Sequence, residues 1–210
     1  MKSIVSLAVL LACLSPAALA GQSEQISAQA KAQSIHARAL VLDTHLDTPL
    51  LFARPGWDIM DRHSADADFS YVDYPRMVDG GLDGGFWVIW TAQGERDLAG
   101  KRKARDAGLR RLMDIREMVA AHRDHFEIAL RADDAQRIVN AGKRVVYISM
   151  ENASPLATDP SLLETYYALG LRMLGLVHSS NNDFADSATN PGGAEFGDFC
   201  GEWGVWQNGQ

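Results

Sequence analysis

The sequence predicts an α/β fold in which a parallel sheet is covered by helices on both faces. Three observations lead there. Short, nearly continuous apolar runs recur along the chain, helical patterns separate them, and no internal repeat or low-complexity linker interrupts the alternation. Strands buried on both faces read as unbroken apolar runs, and strands alternating with helices are what a layered parallel sheet produces.

Taken in order, the chain begins with Lys2, an apolar run from Ile4 to Leu14, and Ala18-Leu19-Ala20 before Gly21. A positive start, a short apolar core and a small-x-small cleavage site describe a secretory signal over residues 1–20, so residues 21–210 are expected to be exported to a periplasmic or secreted location. Leu10-Leu11-Ala12-Cys13 gives lipoprotein anchoring as a minor alternative. No later stretch approaches the ~20 apolar residues of a transmembrane helix. Residues 22–39 are Ala/Gln-rich and helical, running into the strand Leu40-Val41-Leu42-Asp43. A polar, aromatic-rich stretch follows over 61–74, and the glycines of Pro75-Arg76-Met77-Val78-Asp79-Gly80-Gly81 read as the turn into a second strand, Gly85 to Trp90. Leu109, Leu112, Met113, Met118 and Val119 recur at helical spacing between Leu98 and His122, an outer amphipathic helix. A short strand is expected at Phe126 to Leu130, a helix at Asp133 to Ala141, and a third apolar strand at Val145 to Met150. Leu162 to Leu169 is helical up to Gly170, and Met173 to Val177 is the fourth apolar strand.

Composition excludes some functions. The 47% hydrophobic and 22% charged content is that of a globular protein, and a net charge of −7 argues against a nucleic-acid surface. Lys101-Arg102-Lys103 and Arg110-Arg111 alternate with Asp106, Asp114 and Glu117, the pattern of a solvated helix face. Without residues 1–20 only Cys200 remains, so the mature chain forms no internal disulfide.

Metal-capable residues stand at or just after the ends of three of the four main strands, and in a parallel barrel all strand C-termini face one mouth. In Thr44-His45-Leu46-Asp47-Thr48, residues two apart in an extended chain point the same way, so His45 and Asp47 can reach one cation. The bland reading is a strand-end turn with Asp47 as a cap. Glu151 follows six apolar-run residues, where an ionised carboxylate needs a cation or several donors; pairing with an arginine or capping the next helix would also satisfy it. His178, after Leu176-Val177, either packs against the loop backbone or faces a substrate. His122 and His125 read as a solvated pair, and His63 belongs to no ligand pattern.

The segments Val41-Leu42-Asp43-Thr44-His45-Leu46-Asp47-Thr48, Pro75 to Trp87, Ser149-Met150-Glu151-Asn152, Gly170 to Asn181 and Ala185-Asp186-Ser187 resemble, in order, the succession found in membrane dipeptidases of peptidase family M19. The resemblance implies a (β/α)8 TIM-barrel metallo-dependent hydrolase, of which this chain supplies roughly the first half. It implies that His45 and Asp47 bind one zinc, that Glu151 bridges two, and that His178 is a substrate-contacting catalytic residue rather than a ligand. It also implies hydrolysis of dipeptides by a metal-activated hydroxide, and pairing as a homodimer. The family's second zinc uses two later histidines, and no histidine follows His178 here. Ser154 stands where many relatives have a histidine, and the tail from Phe199 to Gln210 loses the strand-helix rhythm, so a truncated or frameshifted chain is expected. Two other readings remain: an inactive fragment or non-catalytic exported metal-binding protein, and a related amidohydrolase-like enzyme.

Overall fold

The computed structural model describes residues 27–189. The secretory signal, Cys13, Cys200 and the tail after Phe199 lie outside the described residues. Of the described residues, those up to Ala39 form one unit, with helix α1 over 27–36, and those from Leu40 onwards form a second.

The second unit is built on five parallel strands: β1 (Leu42–Leu46), β2 (Gly84–Trp90), β3 (Phe126–Ile128), β4 (Arg144–Glu151) and β5 (Leu171–Gly175). β1 pairs with β2, and β2 with β4. The other edge of β4 is shared, β3 pairing with Arg144–Val146 and β5 with Ile148–Glu151. Six consecutive buried residues in β4, Val145 to Met150, account for its unbroken apolar run. Alternation sends Val146, Ile148 and Met150 into a large core with Trp87, Ile89 and Phe126. Val145 and Tyr147 go to a smaller core with Ala135 and Ile138 on the opposite face.

The helices are α2 (Ala65–Asp68), α3 (Tyr74–Gly80), α4 (Leu98–Ala121), α5 (Asp134–Asn140) and α6 (Leu162–Ala168). Of the residues at helical spacing, α4 buries Leu112, Met118 and Val119 against the larger core, with Leu109 partly buried there; Ile115, outside the expected set, joins them, and Met113 is instead 42% exposed. The charged face of α4 is not fully solvated, contrary to expectation. Arg111 and Asp114 turn inward 3.5 Å apart, and burial lowers the pKa of the first and raises that of the second. Lys101 meets Asp183 at 2.6 Å.

The stretch taken for a polar loop and turn contains α2 and α3. Asp73 caps α3, with Pro75 in its first turn and Gly81 ending it in the left-handed region (φ 68°). The Asp73 side chain is fully buried, accepting from the backbone N–H of Arg76 (2.8 Å) and His63 (2.9 Å) and from the Arg76 guanidinium (2.6 Å). Burial alone would raise its pKa, but these donors outweigh it and hold the carboxyl below its ordinary value. A depressed folded pKa contributes stability that is present above the unfolded value and lost as pH falls through and below the usual carboxylate range. Asp73→Asn should therefore lower stability by about 1.5–3 kcal/mol at pH 7, the range for hydrogen bonds to a charged group. Urea titrations at pH 7 and pH 3 should show the gap closing at the lower pH.

His63 does have an acidic companion. Its Nδ1 lies 2.6 Å from Asp68, its ring stacks on Trp57 at 4.7 Å, and, although burial opposes it, the bonds to Asp58 and Asp68 raise its pKa. His122 and His125 are not a solvated pair either: His122 faces Asp58 at 3.4 Å, and His125 bonds the Tyr74 hydroxyl at 3.0 Å.

Among the described residues no helix is long and apolar enough to cross a membrane.

Candidate metal centre

The parallel register places the C-terminal ends of β1, β2, β4 and β5 on one side of the sheet, with Trp90 opposite Glu151 and Glu151 opposite Gly175. His45, Asp47, Glu151 and His178 all reach this mouth, and with Leu50 and Trp90 they line a cleft of about 320 Å³.

How His45 arrives there is not a matter of simple alternation. The β1–β2 register shifts between Asp43 and Leu46. Leu42 packs against the smaller core while Leu46, four residues on, is buried in the larger one. Residues at an even spacing in a regular strand share a face, so the irregularity turns the strand over. His45, next to Leu46, is thereby aimed to the side of the sheet that Glu151 faces. Its Nε2 lies 3.4 Å from Glu151 Oε2 and 3.4 Å from Asp47 Oδ1.

Asp47 is not in extended backbone, as the two-residue spacing had suggested. At φ −82° and ψ 0° it starts a single 3-10 turn, Thr48–Leu51, and its side chain makes no capping bond to that turn. The carboxylate is thus left for the cleft. The Arg111 guanidinium donates to the Pro49 carbonyl, tying the turn to α4.

Glu151 ends β4 as expected, and among the described residues its ion-pair partners are two histidines rather than an arginine. Its two oxygens face different partners, Oε2 towards His45 and Oε1 towards His178 Nε2 at 3.7 Å. β5 ends at Gly175, two residues earlier than the apolar run suggests, because Gly170 closes α6 and Leu171 already pairs with Ile148. His178 therefore sits three residues into a loop, 44% exposed in its side chain. The Trp90 indole N–H points at its Nδ1 (3.5 Å), with the two rings edge-on at 6.1 Å.

His45, Asp47 and Glu151 each offer one ligand atom, and these atoms lie within 4.8 Å of one another. One imidazole nitrogen and two carboxylate oxygens form a donor set suited to zinc. The residues present therefore fit a metal, and His178 borders that position. Leu50, in the 3-10 turn, and Trp90, at the end of β2, were not singled out from sequence, since an apolar side chain in either place carries no chemical signature.

Residues 29–198 match a family model described as membrane dipeptidase, peptidase family M19. A dipeptidase of Aspergillus terreus, ataJ, is 30% identical over 166 residues, which is 76% of this chain and 40% of that protein. The crystal structure of the probable dipeptidase PvdM from Pseudomonas aeruginosa superposes with a TM-score of 0.68 at 27% identity, covering 76% of this chain and 40% of the other. A metallopeptidase from Rhodobacter sphaeroides, liganded with a phosphinate mimic of L-Ala-D-Ala, gives 0.59 at 24% identity, covering 70% and 47% and showing a shared fold. The chain thus spans less than half the length of these relatives.

Proposed function

The chain belongs to the membrane dipeptidase family, peptidase family M19, and from that membership we propose that it supplies the first half of the catalytic barrel of an exported, zinc-dependent dipeptidase. The observation that carries the reading is the convergence of His45 from β1 and Asp47 from the turn after it with Glu151 from β4 within 4.8 Å. In a TIM barrel the catalytic mouth is built from the C-terminal ends of the strands, which supports reading this convergence as part of one.

In the proposed site His45, Asp47 and Glu151 would hold zinc, and the Glu151 carboxylate, which faces His45 with one oxygen and His178 with the other, would be the group available to a second ion. Bound zinc supplies a Lewis acid for the scissile carbonyl and makes water nucleophilic near neutral pH. His178 borders the position where negative charge develops on the substrate oxygen and donates a hydrogen bond to it. Trp90 orients that imidazole, and Leu50 and Trp90 provide apolar walls. The dipeptide-mimic ligand of the Rhodobacter relative makes a dipeptide with a D-residue at its C-terminus the first substrate to try.

The test is zinc stoichiometry and hydrolysis of a dipeptide panel that includes L-Ala-D-Ala, measured on this chain and on a form extended to the length of its relatives. Zinc binding with hydrolysis in the extended form supports the proposal. Zinc without hydrolysis in either form would favour a second reading, an exported metal-binding protein, which the three-ligand set also fits. His178→Ala in the extended form should lower kcat by roughly 10²–10³-fold, the cost of removing one oxyanion donor, while metal content by atomic absorption stays at the wild-type value.

A further inference from the structure

Glu151 is followed by a residue that belongs to none of the proposed chemistry and is nevertheless fully engaged. Asn152 is 1% exposed and adopts a left-handed backbone, φ 71°, a conformation that asparagine tolerates better than most residues. That turn sends its side chain away from the cleft and into the buried space between three loops. Its Nδ2 donates to the Thr91 carbonyl at 3.0 Å and to Gln93 Oε1 at 3.3 Å, both in the loop that follows β2. Its Oδ1 accepts from the Ser154 N–H at 3.2 Å and from Asn182 Nδ2 at 2.8 Å.

Asn182 is completely buried and repeats the pattern from the other side. Its second Nδ2 hydrogen goes to the Leu176 carbonyl at 2.6 Å, and its Oδ1 accepts from the N–H groups of Phe184 and Ala185 at 2.8 and 3.0 Å. A side-chain amide has two donor hydrogens and two acceptor lone pairs. Both asparagines use all four, and a fully satisfied buried polar network is rigid. Thr91 Oγ1 against Ser154 Oγ (3.2 Å) and the Ala153 N–H to the Leu176 carbonyl (3.0 Å) tighten the same knot.

Trp90, Glu151 and His178, which face the cleft, each lie within two residues of a knotted position: Thr91, Asn152 and Leu176. We propose that Asn152 and Asn182 are positioning residues for the metal centre, clamping the loops after β2, β4 and β5 so that Glu151 is presented to His45 with one fixed reach and orientation. This rests on the reading of His45, Asp47 and Glu151 as metal ligands. Groups that orient a metal ligand typically contribute 10–100-fold to metal affinity without touching the ion.

The experiment is a Co²⁺ titration of the 210-residue chain followed by visible absorption, with Zn²⁺ affinity from competition and unfolding midpoints recorded in parallel. Asn152→Gly keeps the left-handed turn and deletes the clamp, while Asn182→Ser leaves β4 and its turn untouched. Glu151→Gln is the ligand control. The expected result is a 10–100-fold weaker site with an altered Co²⁺ spectrum in both asparagine variants, and loss of the site in the control. Affinity within twofold of wild type and an unchanged spectrum in a folded Asn152→Gly variant would overturn the positioning role, even if its unfolding midpoint falls. Should that variant not fold, Asn182→Ser decides by the same criterion. Equal metal binding by wild type and Glu151→Gln would remove the metal-centre reading itself, and the positioning role with it.

Discussion

Glu151→Gln is expected to weaken zinc binding by at least about a hundredfold while leaving the apo protein as stable as the wild type or more so. Structural zinc sites gain roughly 10–16 kcal/mol over about four ligands, so one lost carboxylate removes several kcal/mol. Glutamine keeps the size of the side chain and removes its charge. In the apo protein Glu151 ends β4 after six buried residues, with the imidazoles of His45 and His178 facing its oxygens at 3.4 and 3.7 Å, so removing the charge breaks no bond to an arginine or lysine among the described residues. Two measurements separate the effects: zinc affinity by calorimetry, and the thermal midpoint with and without zinc, which should rise on metal addition in the wild type alone. His45→Ala should reproduce the loss of affinity. A zinc-dependent midpoint that survives in Glu151→Gln would show that the metal sits elsewhere.

The second large effect is on stability, and it comes from a glycine that touches no ligand. A Cβ on Gly85 would lie 2.2 Å from the Asp43 carbonyl oxygen and 3.0 Å from the Asp43 backbone nitrogen. No side-chain rearrangement relieves a contact with main chain, so β1 and β2 must separate. Gly85→Ala is expected to cost about 3 kcal/mol, at the upper end of ordinary overpacking. Because Asp43 leads directly to His45, the same shift should also weaken zinc binding. Gly94→Ala, where an added Cβ meets nothing within 4 Å, is the control and should change stability by less than about 0.5 kcal/mol. Chemical denaturation of the two variants provides the comparison, and equal midpoints would show that the strands are not in close contact.

The elements easiest to read from sequence are those whose burial repeats a simple period. β2, β4 and α4 are continuous apolar runs or a clean helical stripe, and their boundaries come out within a residue or two. α3 escaped because its signals are polar and local. Asp73, Pro75 and Gly81 mark its start and stop, but with Met77 as its one buried residue it has almost no apolar stripe. The metal-capable residues were legible as chemistry, since His45, Asp47, Glu151 and His178 stand where strands end. Their relative aim was not. The register shift in β1 and the 3-10 turn at Asp47 are set by pairing with β2 and packing under α4, contacts between residues some 40 to 60 positions apart. Asn152 and Asn182 were invisible for a related reason: an asparagine in a loop reads as a turn residue until its partners in two other loops are known.

The proposed ligands lie on β1, on the turn that follows it and on β4, and the asparagine knot closes with Asn182 and the turn to Ala185. Order in space here becomes order in time. A ribosome delivers a chain from its N-terminus, so the three residues proposed as ligands, and the two asparagines proposed to steady them, emerge before anything beyond residue 185. Metal capture at the proposed site would therefore not have to wait for anything synthesised after residue 185.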